Sequence, residues 1–182
     1  MQLAVFGGSF DRVRIAHEAI VNEAIKELNI DKLVVVPTYL NPFKSSYHLQ
    51  PSIRKKLLKK VFLNNPKVEI CDYEIKQNRA VYTIETIKYL KNLYKPSRIY
   101  LIIGADNMKN LDKWESIDEL KSLVNFVVAS RNGFIGNEFV KFQNLTIDID
   151  ISSTSLREQI DLNFIPKQIK EDIINLQRKE KG

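Results

Sequence analysis

The feature that most constrains this chain is an alternation of short β-branched apolar runs with longer segments whose apolar residues recur at helical spacing. Residues 3–6, 33–36, 68–71, 99–103, 126–129 and 145–149 read as strands. Between them, Ala16, Ala19, Ile20, Ala24 and Leu28 predict a helix over 16–28. Pro51 opens a second helix with Ile53, Leu57, Val61 and Phe62 on one face. Thr83 is expected to cap a third, whose stripe is Ile84, Ile87, Leu90 and Leu93. Ser116 with Glu119 predicts a capping box before Leu120 and Leu123, and Pro166 opens a last helix with Ile169, Ile173 and Leu176. Residues 99–103 carry no charged side chain, as a parallel strand covered on both faces requires.

Such alternation implies an α/β fold: a doubly wound parallel sheet, right-handed crossovers and helices on both faces. Ligands of these sheets bind outside the carboxyl ends of the strands, where strand order reverses. The loops after Phe6, Val36, Ile103 and Ile149 are therefore where chemistry is expected.

A chain of 182 residues is the length of one domain, and its single cysteine, Cys71, excludes an internal disulfide. Cys71 lies in an apolar alternating stretch and reads as a core thiol. No apolar run is long enough to span a bilayer and no signal-peptide pattern opens the sequence, so a cytoplasmic location without membrane contact is expected. The net charge of +6 is a mild bias that fits nucleic acid, a membrane surface or small phosphorylated substrates alike. Arg54, Lys55, Lys56, Lys59 and Lys60 alternate with Leu57, Leu58, Val61 and Phe62, the pattern of a solvated face opposite a buried one. Basic residues cluster nowhere else, which argues against nucleic-acid binding; self-association is left open.

Each loop carries groups suited to a nucleotide. After Phe6 come Gly7, Gly8, Ser9, Phe10 and Asp11, then Arg14 and His17 at the start of a helix. Adjacent glycines let backbone N–H groups approach a ligand, and a helix N-terminus attracts anions. After Val36, Pro37 and Pro42 stiffen a loop bearing Asn41 and Lys44. After Ile103 come Gly104 and Asp106, followed by Trp114, the only tryptophan. After Ile149, Ser152, Ser153 and Thr154 precede Arg157, hydroxyls and amides suited to an anion.

The run Gly7-Gly8-Ser9-Phe10-Asp11…His17 resembles the opening motif of the nucleotidyltransferase superfamily, and most closely that of the nicotinate-nucleotide adenylyltransferases, G-G-S-F-D-P-x-H-x-G-H. Arg12 stands for the proline, Arg14 for the first histidine and Ala16 for the glycine. Arg14 keeps a positive charge but presents it on a longer, planar fork. Further segments are similar to those of the family: the Asn41-Pro42…Lys44 loop, Tyr82-Thr83-Ile84-Glu85-Thr86, Ile103-Gly104-Ala105-Asp106 with Trp114, and Ile151-Ser152-Ser153-Thr154…Arg157. Ser130-Arg131-Asn132-Gly133-Phe134 is a fainter echo. The likeness runs from Leu3 to Arg157.

The resemblance implies a Rossmann-like sheet in one nucleotidyltransferase domain over 1–182, with a C-terminal helical segment at about 152–180. It implies adenylyl transfer from ATP to nicotinate mononucleotide, with Mg²⁺ arriving on the ATP. His17, Lys44 and Arg157 would then be catalytic. Gly8, Ser9, Phe10, Arg14, Gly104, Asp106, Ser152, Ser153 and Thr154 would bind ATP, and Asn41, Thr83 and Trp114 the mononucleotide. No carboxylate cluster suggests a protein-held metal. The pairing of Asn41-Pro42 with Trp114 points away from a phosphopantetheine adenylyltransferase or a cytidylyltransferase-type enzyme. A non-catalytic nucleotide-binding protein of the same fold is the alternative that Arg14 raises.

Overall fold

The computed structural model describes residues 1–131, 142–147 and 162–181. Its sheet comprises β1 (Gln2–Gly8), β2 (Lys32–Pro37), β3 (Val68–Ile70), β4 (Arg98–Gly104), β5 (Asn125–Arg131) and β6 (Gln143–Ile147). They are ordered β3-β2-β1-β4-β5-β6, and every pairing is parallel. Strand order reverses between β1 and β4, so the loops leaving those two strands flank the crevice where such a sheet takes ligands.

Strict side-chain alternation explains the apolar runs. Along β1, Ala4 and Phe6 enter one core while Leu3 and Val5 enter the other. In β2, Leu33 and Val35 oppose Val34 and Val36 in the same way, and in β4 Tyr100 and Ile102 oppose Ile99, Leu101 and Ile103. The first core is closed by α1 (Ile15–Glu27) and α2 (Pro51–Val61), with Ile165, Ile169 and Ile173 from the C-terminal segment that ends in α6 (Lys170–Lys181). The second is closed by α4 (Thr83–Tyr94), the 3₁₀ segment Ala105–Lys113 and α5 (Ile117–Leu123). The short α3 (Tyr73–Lys76) links β3 to α4.

Several local expectations are corrected. Thr83 is the first helical residue of α4; Tyr82 takes the capping position, and no side chain caps the helix. Ser116 does precede α5, but its backbone is left-handed at φ 53 and it makes no capping bond. Its expected partner Glu119 turns to Lys88 on α4 at 2.7 Å instead. Leu93 is 55% exposed, because nine residues after Ile84 the helix has turned it to the opposite side from that buried position. Pro166 opens a 3₁₀ turn, Lys167–Ile169, before α6 begins. Cys71 is half-buried beside the second core, and burial pushes its thiol pKa up. Ser152, Ser153, Thr154 and Arg157 lie outside the described residues, as does all of the expected 152–180 segment before residue 162.

The largest departure is Arg54. It was expected on a solvated face, yet it is 0% exposed. A helix presents positions three and four apart on one face, and Arg54 shares its face with Leu57, Leu58 and Val61. The guanidinium therefore enters the protein, where four carbonyl groups receive it.

Candidate active site

Two depressions lie at the carboxyl edge of the sheet. The first is lined by Gly8 and Val36 at strand ends, Asn41 and Phe43 from the loop after β2, Tyr82, Thr83 and Thr86 from the start of α4, Glu74 of α3, and Trp114. The second is lined by Ser9, Phe10, Arg12, Arg14, His17, Lys44 and His48. Phe43, 62% exposed, borders both. One lobe is suited to a flat ring and the other to phosphates.

The cationic lobe is built on the loop after β1. Phe10 holds a left-handed backbone at φ 47, which turns its ring inward, and it is 4% exposed. That ring meets Phe6 edge-on at 5.4 Å and His17 at 5.0 Å between centroids. A Cβ on Gly8 would stand 3.3 Å from the Phe10 ring, a tight contact that the ring would have to yield to by a few tenths of an ångström. Arg14 caps α1 by position, and its backbone N–H donates to Nδ1 of His17 at 3.0 Å. With Nδ1 an acceptor, the neutral imidazole carries its proton on Nε2. Burial first, and the Arg14 charge second, lower the His17 pKa to about 4. Lys44 reaches this lobe from the loop after β2, whose turn is closed by Lys44 N–H to the Asn41 carbonyl at 2.9 Å.

The ring lobe is more apolar. Trp114 packs against the second core while one side of it lines the cavity, so it is core anchor and cavity wall at once. The uncapped start of α4 brings Thr83 and its neighbouring N–H groups to the same cavity. Asn41 lines it too, and its Oδ1 accepts the Phe43 N–H at 2.9 Å, closing a local turn. Gly8, expected beside the phosphates, borders the ring lobe. Gly104 ends β4 and Asp106 stands exposed in the following 3₁₀ turn; neither lines the two depressions.

Sequence reasoning missed Glu74 and Arg54. Glu74 is 6% exposed, lines the ring lobe, and accepts a hydrogen bond from the Thr86 hydroxyl at 2.7 Å. Burial raises its pKa to about 7, with the Thr86 bond acting in the opposite direction and Glu85 adding to the rise. A glutamate in a four-residue helix with no strong periodicity gave no signal. For Arg54 the signal was present: its spacing from Leu57, Leu58 and Val61 puts it on the apolar side of α2. Among the described residues, no three His, Cys, Asp or Glu side chains stand together as a metal cage, and no helix is long and apolar enough to cross a membrane.

This fold and cleft are those of a nucleotidyltransferase: residues 5–159 match the cytidylyltransferase-like family. The chain is 58% identical over 182 residues, covering all of both chains, to a protein of Aliarcobacter butzleri that bears the name nicotinate-nucleotide adenylyltransferase. A protein of Sulfurimonas denitrificans with the same name is 48% identical over 98% of this chain and 96% of its own. Among solved structures, the nicotinic acid mononucleotide adenylyltransferase of Plasmodium falciparum complexed with NaAD superposes with a TM-score of 0.71 at 24% identity, covering 96% of this chain and 95% of that one. The chain belongs to the nicotinate-nucleotide adenylyltransferase family.

Proposed function

We propose that the chain transfers the adenylyl group of ATP to the 5′-phosphate of nicotinate mononucleotide, giving nicotinate adenine dinucleotide and pyrophosphate. The observation that carries this reading is the pair of adjoining lobes, one with Trp114 and the start of α4, the other with Arg14, His17 and Lys44. A pyridine ring stacks on an indole, and phosphates need a cationic surface beside it.

A phosphate oxygen of the mononucleotide attacks the α-phosphorus of ATP, forming one P–O bond as the bond to the β-phosphate bridging oxygen breaks. That nucleophile is already ionised near neutral pH, so no general base is needed. Catalysis then rests on alignment and on charge placed against the transferring group. His17 donates from Nε2 to a phosphoryl oxygen. Lys44 and Arg14 neutralise phosphate charge, and backbone N–H groups from Ser9 and Phe10 line the nucleotide side. Thr83, Asn41 and Trp114 hold the mononucleotide, with the α4 dipole and its N–H groups facing the nicotinate carboxylate. Gly104 and Asp106 serve the adenosine, and Ser152, Ser153, Thr154 and Arg157 complete the grip on the triphosphate. Mg²⁺ would come as part of the ATP substrate, neutralising phosphate charge through phosphate oxygens and water rather than through a protein cage. We also assign the chain one domain over 1–182 and a cytoplasmic location.

Incubation with ATP and nicotinate mononucleotide, followed by chromatography, tests the reaction. Dinucleotide and pyrophosphate in equal amounts are expected. Bound ATP with no pyrophosphate would instead identify a nucleotide-binding protein without turnover.

A further inference from the structure

Arg54 has no exposed surface, and the partners of its guanidinium all belong to the loops that frame the two lobes. Nη1 donates to the carbonyl oxygens of Ser9 at 2.5 Å and Thr38 at 2.6 Å. Nη2 donates to the Tyr39 carbonyl at 2.8 Å, and Nε to the Leu49 carbonyl at 3.0 Å. Ser9 lies in the loop after β1. Thr38 and Tyr39 begin the loop after β2, and Leu49 ends it just before α2. Asp11 adds a second fastening between the same loops, its carboxylate accepting the N–H groups of His48 at 2.7 Å and Leu49 at 2.6 Å. The segment bearing Lys44 is thus tied at both ends to the segment bearing Ser9, while its middle stays exposed.

Packing alone does not ask for this. A methionine of similar length would fill the volume, though it would leave four carbonyls unpaired. A lysine keeps the charge, but its single nitrogen has three donors and cannot span four diverging acceptors as a planar fork does.

We propose that Arg54, together with Asp11, is a positioning residue for adenylyl transfer: it fixes the distance between the loop after β1 and the Lys44 loop without touching either substrate. The proposal rests on the assignment of both loops to substrate. In-line transfer tolerates little misplacement, and a shift of about 1 Å can lower a rate about 100-fold. Loosening the two loops therefore acts on turnover, whereas each substrate still finds its own lobe.

The test is steady-state pyrophosphate release by Arg54→Lys, Asp11→Asn and Lys44→Ala, with circular dichroism and thermal melting to establish the folded fraction. Arg54→Lys is expected to lose kcat about 30-fold or more per folded molecule, with both KM values within about threefold of the parent. Asp11→Asn, which leaves the Arg54 bonds in place, is expected to lose kcat about fivefold and carries the test if Arg54→Lys does not fold. Added guanidinium ion should restore part of the turnover of Arg54→Ala where that variant folds. A folded Arg54→Lys or Asp11→Asn with parental kcat overturns the proposal, as does a loss confined to KM. The Lys44→Ala variant separates the two layers. If it keeps full activity, the loop's role in binding fails; if it is impaired while the other two are not, only the positioning role fails.

Discussion

The backbone N–H of Arg14 and Nδ1 of His17 lie 3.0 Å apart, one turn of α1 closing on itself through a ring nitrogen. This bond leaves Nε2 as the imidazole's donor. The same environment keeps the ring neutral, with its pKa lowered to about 4 by burial and the Arg14 charge. His17 is therefore a fixed hydrogen-bond donor across neutral pH and no acid or base.

It follows that kcat shows no limb near the ordinary histidine value of about 6.5. His17→Ala should lower kcat about 100-fold, in the range of losing one donor to a developing charge. Rates measured from pH 5.5 to 8.5 on both proteins check this; a parental profile that falls away below pH 6.5 while the His17→Ala profile stays flat would contradict it.

Removal of the Arg14 charge should have two separable effects. In Arg14→Ala the triphosphate loses a cation and kcat/KM for ATP falls about tenfold. The His17 pKa also rises, since the Arg14 charge is one of the two causes holding it down. Proton NMR of the imidazole ring in both proteins reads the second effect directly.

Glu74 gives a stability prediction with a definite sign. Its folded pKa, about 7, lies above the ordinary value of 4.5. The native state thus binds more protons than the unfolded chain between those values, and the contribution of Glu74 to stability is full below pH 4.5 and lost as pH rises through 7. Glu74→Gln keeps an acceptor for the Thr86 hydroxyl and removes the titration. The variant should gain Tm relative to the parent as pH rises from 5 to 8, and calorimetry at both ends of that window checks it. A Tm difference constant with pH would show that Glu74 stays in one protonation state.

The Gly8 position tests the packing beneath the cationic lobe. Gly8→Ala sets a methyl 3.3 Å from the Phe10 ring, which is itself wedged between Phe6 and His17. The substitution should cost about 1 kcal/mol or more of stability and lower kcat as His17 shifts with the ring. Chemical denaturation alongside turnover measures both.

Period and punctuation carried most of the fold. The β-branched runs of β1, β2 and β4 fall within a residue or two of where alternation put them, because burial on both faces leaves little else for such residues to be. Helix ends were read less well. Thr83 and Ser116 are capping residue types, yet neither makes a capping bond: Thr83 sits one position into α4, and the left-handed turn at Ser116 aims its side chain elsewhere. Neither α3 nor the 3₁₀ segment Ala105–Lys113 was anticipated, since four residues, or a three-residue period, give no clear stripe.

The candidate site was read from glycines, prolines and charge that follow a strand, and Ser9, Lys44 and His17, read in this way, line one depression. It was illegible where its parts come from the interior. The spacing of Arg54 from Leu57, Leu58 and Val61 places it on the apolar side of α2, but the carbonyls it meets belong to loops outside that helix, which no helical period shows. Gly8 illustrates the same limit, since which lobe a strand-end glycine faces depends on loops far away in the chain.

The central claim is that two neighbouring lobes take two different substrates, a ring beside Trp114 and a triphosphate beside Arg14, His17 and Lys44. Trp114 is the only tryptophan of the chain, so its fluorescence reports on one lobe alone. Titration with nicotinate mononucleotide should quench that emission saturably, while ATP without mononucleotide should leave it nearly unchanged. Saturable quenching by ATP with no response to the mononucleotide would contradict the account.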